Sequence, residues 1–121
     1  MEEGSAALTL GNRTEGLATV VVAEGEIDLS SVPQLSGMLD DLINEGNVEL
    51  IVDMTGVDFI DSTGLGVLVG ARKKALAKDG SVHLACLQPK VLKIFRITQL
   101  TEIFPVHESV ADALASLSGR A

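Results

Sequence analysis

The sequence predicts one α/β domain: an open, mixed but mostly parallel sheet with helices packed on it, in the order β-β-α-β-α-β-α-β-α. Three observations carry this. Apolar β-branched runs alternate with helical periodicities, and successive β-α-β units imply right-handed crossovers between parallel strands. Val48 to Val52 is a near-continuous apolar run, which suits a strand covered on both faces. Leu35, Met38, Leu39, Leu42 and Ile43 fall at i, i+3, i+4, i+7 and i+8, one face of a helix.

Residues 1–6 read as a loose start. Ala7 to Leu10 and Leu17 to Ala23 read as two strands, antiparallel through a turn at Gly11 to Gly16. Gly25 to Ser30 reads as a loop. Ser31 and Gln34 then form an S-x-x-Q capping box for the first helix. Pro33 sits in its first turn, where a missing N–H is harmless, and Gly46 stops it. Asp53 to Asp61 reads as a loop in which Phe59 and Ile60 anchor the chain to the core. The second helix runs from about Ser62 to Lys78, with Arg72, Lys73, Lys74 and Lys78 suiting the negative end of its dipole. Ser81 to Cys86 is a strand with Val82, Leu84 and Cys86 on one face. Gln88 to Ile97 is a short helix and Phe104 to His107 a last strand. Val110, Ala113, Leu114 and Leu117 mark a final amphipathic helix.

A chain of 121 residues sets a prior of one domain, 1–121, with a core of its own. It has three Phe and neither Tyr nor Trp, so the core rests on Val, Leu, Ile and Ala, and base-stacking surfaces are disfavoured. A net charge of −8 argues against nucleic acid and against anionic membranes. Cys86 is the only cysteine, which excludes an internal disulfide and fits a reducing compartment. No signal peptide or membrane span is visible, so the expected location is the cytoplasm.

The chemistry concentrates at Asp61-Ser62-Thr63-Gly64-Leu65-Gly66. Asp61 or Ser62 caps the second helix and leaves a hydroxyl at its mouth. Gly64 and Gly66 each cost a helix about 1 kcal/mol relative to Ala, which suggests a close neighbour there. A phosphate on Ser62 would meet free N–H groups and the positive end of the dipole. It would also bring roughly −1.5 to −2 charges to any interface at that point. On spacing alone, however, a Ser or Thr at this position is most often only a cap.

Rival chemistries lack their residues. Gly64-x-Gly66-x-x-x-Gly70 follows its strand too late for a dinucleotide fingerprint, and Asp79 comes too early for the ribose contact. There is no P-loop and no G-x-S-x-G elbow. His83 and His107 read as structural or solvated, without a cluster to hold metal. Cys86 ends an apolar strand and reads as buried rather than redox-active. Lys90, Lys93 and Arg96 recur at helical spacing, a basic stripe read as a solvated face.

Gly25-Glu26-Ile27-Asp28, Val52-Asp53-Met54 and the run from Asp61 to Leu68 resemble the STAS domain family. The likeness covers nearly the whole chain and is greatest to the bacterial anti-sigma factor antagonists. It implies a regulatory protein with no catalytic residues, cofactor or metal of its own. An anti-sigma factor with a GHKL-type serine kinase fold would be the partner, bound by the unphosphorylated chain so that a sigma factor is freed. The kinase would phosphorylate Ser62, and a PP2C-type phosphatase would reset the switch. Partner contacts are expected at Asp28, Ser30, Asp61, Thr63, Gly64, Leu65 and Gly66. Thr63 ranks below Ser62 as an acceptor. The alternative is an unphosphorylated STAS scaffold subunit of a transporter or stress-signalling assembly, with Ser62 only a cap.

Overall fold

A computed structural model describes residues 7–118; the loose start expected over 1–6 lies outside them. One sheet contains five strands in the order β1-β2-β3-β4-β5. They are β1 (Thr9–Glu15), β2 (Ala18–Ile27), β3 (Glu49–Ile60), β4 (Ser81–Ala85) and β5 (Val106–His107). The first pair is antiparallel and the rest are parallel, as the element order requires.

Four helices cover the sheet: α1 (Val32–Asn44), α2 (Ser62–Leu76), α3 (Pro89–Ile97) and α4 (Val110–Ser118). Leu35 and Leu39 of α1, Leu68 and Ala71 of α2, and Val91 and Phe95 of α3 share one core with Val21, Leu50, Val52 and Leu84. Ala113 and Leu117 of α4 pack with Ala18, Val20, Ile51 and Ala85 on the other face. The alternation Leu50, Ile51, Val52 thus feeds both layers, which is why the run is apolar throughout. Burying one such side chain contributes about 1.5–3 kcal/mol.

Several boundaries differ from the sequence reading. Beta strand β1 runs through the expected turn at Gly11 to Gly16, because a polar edge strand can leave one side in water. The reversal is confined to Gly16 and Leu17, with Gly16 at φ 59°. Strand β2 continues as far as Ile27 into the loop expected at Gly25 to Ser30, and β3 runs to Ile60 through the one expected at Asp53 to Asp61. Register shifts at Val22/Glu24 and Gly25/Glu26 absorb residues whose local pattern looks irregular. Helix α2 ends at Leu76. Cys86 leaves the face of Val82 and Leu84 because its φ is 63°, and it packs toward the α4 layer. Only Val106 and His107 pair as β5. Phe104 instead enters the core edge-to-face with Phe95, at a centroid distance of 6.3 Å. A short 3₁₀ turn, Leu100–Glu102, was not expected.

The ends of α1 show both a success and a failure of pattern. Gly46 sits past the helix at φ 96°, where Asn47 N donates to Leu42 O at 2.8 Å, as a glycine stop requires. The capping box does not form. The Ser31 hydroxyl donates to Glu26 O and accepts from Asp28 N, while the Gln34 amide donates to Leu8 O.

A tight backbone approach joins β3 and β4. A Cβ on Gly80 would lie 2.1 Å from Val48 O, beside the Ser81 N–H that donates to that oxygen. Gly80→Ala is expected to cost about 1–3 kcal/mol, read as a lower urea midpoint with an unchanged m-value.

Candidate functional site

Parallel pairing brings the carboxyl ends of β2 and β3 together, with Ile27 opposite Ile60. The Asp61 N–H donates to Ile27 O at 3.1 Å. Beyond this point the chain opens into the Asp28 to Ser31 loop on one side and the first turn of α2 on the other.

Asp61 is the helix cap. Its Oδ1 accepts from Thr63 N at 2.9 Å, from Gly64 N at 3.1 Å and from the Thr63 hydroxyl. Its Oδ2 accepts from Leu29 N at 3.1 Å. One carboxylate therefore fixes both loops. Asp28 does the same work locally: its Oδ1 accepts from Ser30 N, from the Ser30 hydroxyl at 2.7 Å and from Ser31 N. Hydrogen bonds to the ionised form favour it. The Thr63 hydroxyl, followed by the Gly64, Leu29 and Thr63 amides, holds the Asp61 carboxyl below its ordinary value against a smaller opposing effect of burial. The Ser30 hydroxyl does likewise for Asp28, with the Ser30 and Ser31 amides adding to it.

Ser62 is the first residue of α2 and is exposed, with no side-chain hydrogen bond to another described residue. The Thr63 hydroxyl is occupied by Asp61. Gly64 is buried, and a Cβ there would lie 2.6 Å from Ile27 Cγ2 and 2.8 Å from Ile60 Cγ1. The close neighbour suggested by the glycines is thus the sheet itself at Gly64. At Gly66 nothing lies within 4 Å of a built Cβ. Leu65 is half-buried against the core, whereas Ser30 is exposed.

A family model for the STAS domain matches residues 12–113. The chain belongs to the STAS domain family. An anti-sigma-B factor antagonist of Staphylococcus aureus is 29% identical over 101 residues, covering 84% of this chain and 94% of its own. The crystal structure of an anti-sigma factor antagonist from Mycobacterium paratuberculosis superposes with a TM-score of 0.86 at 25% identity, over 93% of this chain and 95% of that one. SpoIIAA, also an anti-sigma factor antagonist, shares the fold in its unphosphorylated form, with a TM-score of 0.80 at 22% identity over 93% and 99% of the two chains.

Two apolar residues of this STAS site escaped the sequence reading. Leu29 is 72% exposed although Asp61 pins its backbone. Phe59, expected in the core, is 45% exposed, while its neighbour Ile60 is buried. The register shift beside Phe59 breaks the simple alternation that would have placed it. Leu29, Val32, Thr63, Gly66, Val67 and Gly70 line a groove of about 410 Å³ between α1 and α2. The Lys74–Asp40 ion pair, at 2.7 Å, ties the same two helices together. An apolar leucine after an acid in a polar loop was the available signal for Leu29.

His83 and His107 meet across β4 and β5, Nδ1 to Nε2 at 2.9 Å. Among the described residues no cluster of three or more His, Cys, Asp or Glu could hold a metal, and no helix is long and apolar enough to cross a membrane.

The two glycines of the motif should answer oppositely to alanine. Gly64→Ala is expected to lower stability by about 1–3 kcal/mol through overpacking against Ile27. Gly66→Ala should raise it by up to about 1 kcal/mol, since the methyl meets nothing and the helix gains. Thermal melts of both variants read the signs. The lowered carboxyls of Asp28 and Asp61 predict a pH effect as well. Their stabilisation is complete above the unfolded carboxyl range and is lost as pH falls through the lower folded values. In melts from pH 6 to pH 2, Asp61→Ala should start lower and lose less on acidification than the unmodified protein.

Proposed function

We propose that this chain is an anti-sigma factor antagonist. Its unphosphorylated form binds a serine-kinase anti-sigma factor and so frees a sigma factor, and phosphate on Ser62 weakens that binding. The observation that carries the reading is the exposed, unengaged Ser62 hydroxyl at the start of α2, beside the exposed Leu29 and the open groove. The names borne by the Staphylococcus and Mycobacterium relatives support it. So does a second solved form of SpoIIAA, from Bacillus, that carries phosphate.

The chemistry asks little of this chain. The partner kinase transfers the γ-phosphoryl group of ATP to Ser62 Oγ; the hydroxyl proton passes to the kinase and ADP leaves. A PP2C-type phosphatase then hydrolyses the ester with water. The chain acts in the cytoplasm as a substrate and binding module, not as an enzyme. Asp61 and Asp28 hold the loops in place. Ser30, Leu29 and Gly66 offer contact surface.

Magnitudes decide how phosphate acts. At the helix N-terminus a phosphate gains about 0.3–1 kcal/mol from the dipole. Desolvating an unpaired dianion in an interface costs at least several kcal/mol. Binding therefore yields before the fold does. The Thr63 hydroxyl already donates to Asp61, which favours Ser62 as the acceptor.

The test is to incubate the protein with ATP and candidate kinase-type anti-sigma factors, map phosphate by mass spectrometry, and measure affinity for Ser62 variants. Phosphate should appear on Ser62 and be absent from Ser62→Ala, which should bind without release. Ser62→Asp should bind at least about 100-fold more weakly, near 2.8 kcal/mol, with its melting temperature within a few degrees. Normal binding by Ser62→Asp would contradict the reading. Leu29→Ser should weaken the complex about tenfold without changing the melting temperature.

A further inference from the structure

The basic stripe read as a solvated face is exposed on α3, and its composition sets it apart from the rest of the chain. From Gly80 to Thr101 the chain has no Asp or Glu, yet it carries Lys90, Lys93 and Arg96, on a protein whose net charge is −8. All three are exposed, and none pairs with a carboxylate among the described residues. Elsewhere Lys74 holds Asp40 and Arg13 holds Glu15, while Arg72 and Lys78 donate to backbone carbonyls.

Helix electrostatics explains only part of the stripe. Arg96 lies in the last turn of α3, where a cation suits the dipole. Lys90 lies in the first turn, where a cation is unfavourable, and no acid accompanies it there. The core face of the helix is Val91 and Phe95. Lys90, Lys93 and Ile97 share the opposite side at i, i+3 and i+7, and Ile97 is 70% exposed. Cations around an exposed aliphatic side chain, paired with no carboxylate among the described residues, fit an acidic surface with an apolar contact at its centre.

Topology sets the start of α3 beside the same strand that leads to Ser62. Parallel strands β3 and β4 lead into α2 and α3 respectively, so both helices follow carboxyl ends of strands, with β3 running on to Ile60 past its last pairing with β4 at Asp53 and Ala85. The Gln88 amide, just before α3, donates to Thr55 O of β3 at 2.9 Å and fixes that start. We infer that the outer face of α3 is an electrostatic docking patch for an acidic surface of the anti-sigma partner, formed by Lys90, Lys93 and Arg96 around Ile97. This rests on the function proposed above and extends its interface beyond the Ser62 turn. Charges at such a rim act mainly on the association rate and its salt dependence.

The test is the association rate with a purified kinase-type anti-sigma factor at about 0.05 M and 0.3 M ionic strength, across which screening changes strongly. The triple variant Lys90→Gln, Lys93→Gln, Arg96→Gln should associate about tenfold more slowly at low salt and lose most of the salt dependence. Lys90→Glu should melt slightly higher, because the acid suits the helix start, and yet associate more slowly. A merely solvated stripe gives the higher melting temperature with no change in rate, and that result would overturn the inference. So would phosphatidylserine vesicles that retain the unmodified protein but not the triple variant, since the patch would then serve a membrane. Failure of the underlying function looks different: the unmodified protein itself binds no such factor at either salt, and the inference falls with it.

Discussion

The two oxygens of the Asp61 carboxylate join segments far apart in the chain. One oxygen takes the first amides of α2 and the Thr63 hydroxyl, and the other takes the Leu29 amide of the loop before α1. The geometry of the site depends on that division. It orders the helix start so that Ser62 projects outward, and it fixes the backbone of the most exposed apolar residue nearby. Without the parallel pairing of Ile27 with Ile60 the two segments would not meet, so the interaction is a product of the whole sheet.

The site separates what holds the fold from what is left exposed. Gly64 turns inward against Ile27 and Ile60, and Thr63 is committed to Asp61. Ser62, Leu29, Gly66 and Ser30 are left facing water. A phosphate on Ser62 thus enters a solvated helix mouth with little internal packing to disturb. Its charge matters only when another surface must close over it. On the function proposed above, such a division would let the domain release a partner without unfolding.

The architecture was legible because its burial is simple. Val48 to Val52 reads as a strand covered twice, and Leu50, Ile51 and Val52 do feed two layers. Gly46 was legible because a left-handed stop leaves few other choices. The long ends of β2 and β3 were not, because shifts in register hide strand in a pattern that looks like loop. The same irregularity leaves Phe59 half outside the core, although it was read as a loop anchor together with Ile60. The Ser31–Gln34 capping box matched a local rule, but tertiary partners at Glu26, Asp28 and Leu8 claimed both side chains. At the site, the cap, the hydroxyl and the motif could be read directly. The bond from Asp61 to Leu29 could not, since it spans 32 positions and needs the sheet to form first.

The central claim is that phosphate on Ser62 changes binding and leaves the fold alone. Amide hydrogen exchange on the stoichiometrically phosphorylated and unmodified proteins, with affinity for the anti-sigma factor measured on the same samples, tests it most directly. Protection of β2, β3 and α4 should be the same in both forms, with any change confined to the Leu29 loop and the first turn of α2, while affinity falls by at least about 100-fold. Loss of protection across the sheet, or equal affinity in the two forms, would contradict it.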